Sequence, residues 1–190
     1  MEEYSSEDGA ELIMAARGVI ELQAKSPKFN PEMVGKQFKK YNKLEQVVVR
    51  LVHHPTKTVR ATSAIIDGEP LINAVINASL SAAYGPQNSV PISTNEIDEL
   101  AIEINLLSTP KSLSSNFIRK RNEIEVGKHG LILNYGIHRC VLLPWYATEK
   151  AMSNIEFLEA VCKEAGLEKD YWKQPKVELY KFEVKRFVEK

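Results

Sequence analysis

One continuous stretch, residues 126–167, constrains the fold more than any other part of the sequence. It contains two short apolar runs, 131–133 and 140–143, separated by the four residues 134–137. This spacing is typical of a β-hairpin with a four-residue loop. The register implied by that loop pairs Leu133 with His138, Leu131 with Cys140 and His129 with Leu142. The sequence therefore predicts a tightly defined hairpin at this point.

A helix is expected to follow this hairpin and to end within the same stretch. Ser153 or Asn154 provides an N-cap, and Ile155, Leu158 and Cys162 recur at helical spacing. Gly166 is suited to the left-handed C-terminal cap.

The rest of the chain shows the same alternation of single helices and paired strands. Apolar residues at helical spacing predict helices, and β-branched or alternating runs predict strands. The expected helices cover about 6–23, 31–41 and 70–84, and the expected strands cover 46–52, 58–66, 99–107 and 177–188. Asp67–Gly68 is expected to end the second strand, and residues 99–107 should form a half-buried strand. The pattern favours one α+β domain over residues 1–190, with mostly antiparallel sheets flanked by helices.

Composition excludes several classes of protein. There are 25 basic and 25 acidic residues, so the net charge of zero argues against a general nucleic-acid-binding protein. The acidic N-terminus is unlike a secretory signal, and no apolar run reaches the roughly 20 residues that cross a bilayer. Cys140 and Cys162 are too few for a disulfide framework, which favours two buried thiols in a reducing cytoplasm.

Several segments together resemble the AMMECR family over nearly the whole chain. They are VGKHGLIL, LLPWYATE and FLEAVCKEAGL in the C-terminal half, with LIMAARGVIEL and IIDGEPLINAV before them. The resemblance implies a larger lobe built from both chain ends and a smaller lobe from the central part. It also implies a functional cleft, which family members build around a Leu-Arg-Gly-Cys-Ile-Gly strand and a Leu-Pro-Gln turn.

The residues at the implied cleft depart from the family pattern. The matching strand reads Val-Arg-Ala-Thr-Ser-Ala from residue 59, so Arg60 is kept and Thr62 replaces the cysteine. Trp145 replaces the glutamine of the turn, and Glu149 remains. A threonine hydroxyl is far less acidic than a thiol and needs an adjacent base to act as a nucleophile, so thiol chemistry is not expected.

The resemblance implies a component of a small modification pathway but no particular reaction. Family members are similar to the first component of the AmmeMemoRadiSam system, beside Memo-type and radical-SAM proteins. We therefore expect a cleft in which Arg60, Thr62, Trp145 and Glu149 contact a small anionic or nucleotide-like ligand, since arginine pairs well with carboxylate and phosphate. No catalytic residue, metal or cofactor is assigned, and enzymatic activity stays open.

Alternative interpretations accompany each of these residues. Arg60 and Glu149 could be structural or solvated charges, and Trp145 with Tyr146 could form a partner-binding surface or pack into the core. The adaptor function rests on that aromatic pair. The basic segment 36–60 has seven basic residues and one acidic residue, which could bind nucleic acid or form a solvated face. His129, His138 and Cys140 share a hairpin face, but the leucines on the same face favour packing over a metal site.

Overall fold

The computed structural model describes residues 4–26, 28–38, 40–86, 88 and 90–190. The chain divides into two compact units. Unit 1 contains residues 1–106 and 185–190, and unit 2 contains residues 107–184. The α+β class with antiparallel sheets, predicted from the sequence, is confirmed. Within the described ranges, no helix combines the length and apolar character that crossing a membrane requires.

Unit 1 packs helices against one face of a four-stranded sheet. Its helices are α1 (Ser6–Lys25), α2 (Glu32–Gly35), α3 (Leu71–Tyr84) and α4 (Thr94–Ile97), with a 3₁₀ turn at Lys36–Phe38. Its strands are β1 (Leu44–His53), β2 (Val59–Pro70), β3 (Leu100–Leu107) and β8 (Val184–Val188), in the order β2-β1-β3-β8. Ser5 and Asp8 form a capping box at the start of α1. The buried faces of α1 and α3 meet the apolar side chains of β1 and β3 in one core.

Strand β2 is longer than the sequence predicted. Asp67–Gly68 does not end it, since the strand continues to Pro70 and α3 begins at Leu71. Gly68 has a φ of 79°, and the pairing with β1 shifts register between Glu45 and Val47. Gly68 thus allows a bulge inside the strand, whereas the sequence analysis had interpreted Asp67–Gly68 as the end of the strand.

Strand β3 is buried on both faces, so the prediction of a half-buried strand was wrong. Ile102 and Ile104 lie in the core with no exposed surface. On the other face, Glu103 is 5% exposed and Asn105 is fully buried. Burial of these polar side chains requires hydrogen-bond partners.

Unit 2 contains a second four-stranded sheet with helices packed on it. Its strands are β4 (Lys111–Ser112), β5 (Gly130–Tyr135), β6 (His138–Leu142) and β7 (Glu178–Phe182), in the order β4-β7-β5-β6. Its helices are α5 (Phe117–Asn122), α6 (Pro144–Glu149) and α7 (Asn154–Glu164), with a 3₁₀ turn at Tyr171–Lys173. The predicted caps of α7 are confirmed, because Ser153 forms a capping box with Glu156 and Gly166 has a φ of 76°.

The hairpin of β5 and β6 exists, but its predicted register was wrong by two residues. Leu131 pairs with Leu142, Leu133 with Cys140 and Tyr135 with His138. The loop therefore contains only Gly136 and Ile137, and Gly136 has a φ of 60°. A glycine with positive φ at the first loop position is typical of a two-residue type II′ turn.

The predicted C-terminal strand 177–188 is divided between the two sheets. Residues Glu178–Phe182 form β7 in the second sheet, and Val184–Val188 form β8 in the first. Glu183 connects them. The segment 177–188 therefore contributes one strand to each of the two sheets.

A polar cluster fastens α1 to the residues that precede β1. Lys40 Nζ lies 3.1 Å from Asp8 Oδ1 and 3.0 Å from Glu11 Oε2, and the hydroxyl of buried Tyr41 lies 2.9 Å from each carboxylate. The backbone N–H of Ser5, followed by Lys40, lowers the pKa of Asp8. The hydrogen bond from Lys40, followed by that from Tyr41, lowers the pKa of Glu11.

We expect this cluster to make the stability of the protein depend on acidic pH. A carboxyl whose pKa is lowered by folding stabilises the folded state above the pKa of the unfolded chain, about 4 for aspartate, and this is lost as the pH falls below it. Asp8→Asn should flatten the decline of the free energy of unfolding between about pH 4 and pH 2. Urea titrations across this range measure it, with exposed Asp98→Asn as control. An unchanged slope in Asp8→Asn would contradict the prediction.

A matched pair of glycine substitutions in α1 tests the packing of β8. A Cβ at Gly9 would lie 2.1 Å from Cδ1 of Phe187 in β8, whereas a Cβ at Gly18 would meet nothing within 4 Å. Gly9→Ala should lower the free energy of unfolding by about 1–3 kcal/mol through overpacking. Gly18→Ala should raise it by about 0.5–1 kcal/mol through helix propensity. Urea unfolding distinguishes them, and the same sign for both would contradict this packing.

Candidate functional site

Arg60 lies at a bulge near the start of β2. Leu51 pairs with Ala61 and Val52 pairs with Val59, so Arg60 is the extra residue between these pairs. Its Nε donates to Glu96 Oε1 at 2.5 Å, and its Nη2 donates to the carbonyl of Val90 at 3.0 Å. Bulges often redirect a side chain next to a functional site. Here the bulge presents the guanidinium to the segment that contains α4.

Glu96 connects Arg60 with the imidazole of His53. It lies in the capping box of α4 with Ser93, and its Oε1 is 3.8 Å from Nε2 of His53. The side chains of Arg60 and Glu96 are 23% and 20% exposed, so the pair is accessible to solvent and to small solutes. We call His53, Arg60 and Glu96 the bulge cluster. The capping signal of Ser93 and Glu96 was present in the sequence, but the sequence analysis predicted no helix there.

Thr62 lies on the same strand with its side chain exposed. Its cross-strand partner is Arg50 of β1, so Thr62 and Arg50 share one face of the sheet. A guanidinium stays protonated and cannot accept the hydroxyl proton. Thr62 therefore has a hydrogen-bond donor beside it rather than the base that nucleophilic chemistry requires.

The same face of the sheet contains an ionic triad around a buried carboxylate, which the sequence analysis missed. Arg50 Nη1 donates to Glu103 Oε2 at 3.0 Å, and Arg186 Nη2 donates to Glu103 Oε1. The side chains of Arg50 and Glu103 are 11% and 7% exposed. The signal was a charged residue inside each of three strands: Arg50 in β1, Glu103 in β3 and Arg186 in β8. Their convergence depends on the order β1-β3-β8, which the sequence analysis had not assigned.

Arg50 and Arg186 place two guanidiniums around one carboxylate on this face. Asn105 extends the polar surface, since its Nδ2 donates to the carbonyl of Val48 at 3.1 Å. Its Oδ1 is buried and has no hydrogen-bond partner among the described residues. An unpaired buried acceptor is costly, so such a group often marks a position where a solvent molecule or a ligand donates a hydrogen bond.

Glu149 and Trp145, the other two predicted cleft residues, belong to unit 2. Glu149 is the last residue of α6 and is exposed, and Trp145 is half-buried on the same helix. The ring of Tyr146 stacks on Phe157 with centroids 6.5 Å apart, and its hydroxyl donates to Glu164 at 2.7 Å. Tyr146 is thus committed to contacts within unit 2, and the adaptor function of this aromatic pair stays a prediction.

The histidines and cysteines of unit 2 have ordinary protein partners. His129 Nδ1 accepts the backbone N–H of Glu125 at 2.9 Å, and burial lowers the pKa of His129. Burial raises the pKa of Cys140 to about 12 and that of Cys162 to about 11. No group of three or more potential metal ligands occurs in the parts of the chain that the structure describes.

The basic segment 36–60 is largely paired with carboxylates inside unit 1. Lys40 contacts Asp8 and Glu11, and the other pairs are Lys43 with Glu45, Arg50 with Glu103 and Arg60 with Glu96. Lys39 lies outside the described residues. These pairs reduce the positive field that a phosphate backbone would meet.

Comparison with known proteins gives one consistent result. The AMMECR1 family model matches residues 13–187. A protein of Methanopyrus kandleri is 32% identical over 99% of this chain and 91% of its own length. A protein of Aquifex aeolicus is 34% identical over 80% of this chain and 78% of its own length. The crystal structure of an uncharacterised protein from Pyrococcus horikoshii matches with a TM-score of 0.84 and 29% identity, covering 96% of this chain and 91% of that one.

The buried triad can be tested by removing its only carboxylate. Glu103→Gln would remove the buried carboxylate to which Arg50 and Arg186 both donate, and breaking a buried ion pair costs about 3–5 kcal/mol. We expect a loss of this size in the free energy of unfolding measured with urea. Glu99→Gln, at an exposed carboxylate of the same unit, should change it by less than about 0.5 kcal/mol. A loss in Glu103→Gln as small as that control would show that the triad contributes little.

Proposed function

This chain belongs to the AMMECR1 family, and we propose that it works by binding a small anionic ligand on the sheet of unit 1, beside Arg60 and Thr62. Ligand recognition is proposed here without assigning a reaction. The class of ligand is one that carries a carboxylate or a phosphate group. The family resemblance leads us further to propose Memo-type and radical-SAM proteins as partners in a modification pathway. Glu149 and Trp145 stay predicted ligand contacts.

The observation that carries the proposal is the way in which Arg60 holds Glu96. A carboxylate already occupies one edge of this accessible guanidinium, with Nε donating at 2.5 Å. Its Nη1 makes no hydrogen bond to a described residue. An incoming anion would use Nη1 or replace Glu96, and either mode relies on the charge-assisted hydrogen bonds that arginine forms with such groups.

The surroundings of Thr62 support binding rather than chemistry at this strand. Its hydroxyl is exposed and can donate to or accept from a ligand, and Arg50 lies across the strand from it. The guanidiniums of Arg50 and Arg186 lie on the same face of the sheet, where both donate to Glu103. A guanidinium can form charge-assisted hydrogen bonds with an anion.

Substitutions at Arg60 and Glu96 should change anion affinity in opposite directions. Arg60→Gln should weaken binding of pyrophosphate about tenfold or more, because a hydrogen bond to a charged group contributes about 1.5–3 kcal/mol. Arg60→Lys should fall between Arg60→Gln and the unchanged protein, since it keeps the charge and loses the fork. Glu96→Gln should strengthen binding, because the competing carboxylate is gone. Isothermal titration calorimetry measures all four proteins.

Matched controls separate binding from folding. Arg119→Gln removes an exposed-helix arginine in unit 2 and should leave the affinity for pyrophosphate unchanged. Urea unfolding of each variant shows whether lost binding follows lost stability, since a partly exposed ion pair contributes at most about 1 kcal/mol. If Arg60→Gln and Glu96→Gln bind pyrophosphate as the unchanged protein does, the proposal is wrong.

A further inference from the structure

A groove of about 440 Å³ lies within unit 2, at the C-terminal end of α7. Its volume falls in the range of small-molecule sites in proteins, roughly 300–1,000 Å³. The side chains that line it include an imidazole, a phenol, two ammonium groups and one carboxylate. The lining residues include His138, Lys163, Gly166, Glu168, Lys169 and Tyr171.

One wall of the groove is aromatic and is fixed in place. The ring of Tyr135 stacks on His138, with centroids 6.4 Å apart and an interplanar angle of 24°. Tyr171 meets Tyr135 in a T-shaped contact at 5.6 Å and 71°. Aromatic contacts of this kind restrain the rings that take part in them. Tyr171 therefore gives the groove a held apolar surface beside its polar groups.

The orientation of His138 is set by a backbone carbonyl. Its Nδ1 lies 2.8 Å from the carbonyl oxygen of Ala165, and because a carbonyl only accepts, Nδ1 carries a hydrogen. Nε2 is then the ring nitrogen that a ligand can contact. The backbone here is tightly constrained, since Gly166 N donates to the carbonyl of Lys163 at 2.9 Å and Leu167 N donates to that of Cys162 at 2.9 Å.

These hydrogen bonds also bear on the charge of the groove. The end of a helix has unpaired carbonyls and a partial negative charge, which would repel an anion. At α7 the carbonyls of Cys162, Lys163 and Ala165 all accept hydrogen bonds. These three carbonyls therefore have hydrogen-bond donors, and the ammonium groups of Lys163 and Lys169 add positive charge at this end of α7.

The ammonium groups of the groove are not neutralised by ion pairs. Lys163 and Lys169 are exposed and form no salt bridge with a described residue, whereas nearby Asp170 is paired with Lys173 at 2.5 Å. Glu168 is the one carboxylate in the lining, so the two lysines leave a net positive charge. Two free ammonium groups beside a held aromatic ring are complementary to a phosphate attached to a planar ring.

We infer that this groove binds a phosphate monoester that carries a planar ring, with a mononucleotide as the representative ligand. Lys163 and Lys169 contact the phosphate, and Tyr171 packs against the ring. His138 Nε2 supplies a further polar contact. The site is independent of the bulge cluster, because every residue in it belongs to unit 2.

Titration calorimetry with AMP, adenosine and inorganic phosphate tests the assignment. AMP should bind saturably, and both adenosine and phosphate should bind at least tenfold more weakly, since each lacks half of the recognised ligand. The double substitution Lys163→Gln/Lys169→Gln should weaken AMP binding at least tenfold. Lys176→Gln, at an exposed lysine elsewhere in unit 2, should leave AMP binding unchanged.

Further variants assign the contacts to this groove. Tyr171→Leu should weaken AMP but leave phosphate unaffected, with folding checked by urea unfolding. AMP bound at the bulge cluster is lost in Arg60→Gln and kept in the lysine double variant, so failure of the unit 1 proposal and failure of this one remain distinguishable. Equal AMP affinity in the lysine double variant overturns the site. Loss of AMP binding in Arg60→Gln alone also overturns it, and phosphate binding as tight as AMP overturns the ring contact.

Discussion

The C-terminal strand is held in unit 1 by Arg17, and the rest of that unit depends on this attachment. Arg17 Nη1 donates to the carbonyl of Ile97 at 2.8 Å, its Nη2 to that of Leu100 at 2.5 Å and its Nε to Glu189 Oε1 at 3.0 Å. The other oxygen of Glu189 accepts the backbone N–H of Ile102 at 2.9 Å. One guanidinium thus joins α1, the entry to β3 and the end of the chain. With β8 in place, Phe187 packs over Gly9 and the sheet has its fourth strand.

The same attachment explains how a carboxylate can be buried in the middle of the sheet. Glu103 would be strongly destabilising alone, because removing a charge from water costs several kcal/mol. Arg50 on β1 and Arg186 on β8 both donate to it, one from each neighbouring strand. The triad can form only if β8 lies beside β3, so it selects this strand order against alternatives. The triad lies on the sheet face on which Thr62 is exposed, so the packing of β8 contributes to the polar surroundings of Thr62.

Local signals predicted most of the elements, and the errors have specific physical causes. The helices 6–23 and 70–84 were predicted correctly because the helical spacing of their apolar residues can be seen within each segment alone. The hairpin register was wrong because Asn134 and Tyr135 were assigned to the loop, although Gly136 suits the first position of a two-residue turn. The two-sided burial of β3 could not be predicted, since it depends on charges contributed by β1 and β8. Arg60 and Thr62 were selected by family resemblance, whereas Glu96, Arg50 and Arg186 became visible only through strand pairing.

The chemistry available at neutral pH favours recognition over nucleophilic attack. Thr62 has Arg50 as its cross-strand partner, and a guanidinium can stabilise an anion but cannot take up a proton. The only two cysteines, Cys140 and Cys162, have pKa values raised by burial to about 12 and about 11. Burial thus disfavours the thiolate form of both cysteines, whereas reactive cysteines have lowered pKa values. With Thr62 beside a donor and thiolate formation disfavoured, the accessible guanidinium of Arg60 and the ammonium groups of Lys163 and Lys169 are the groups on which both anion-binding proposals rest.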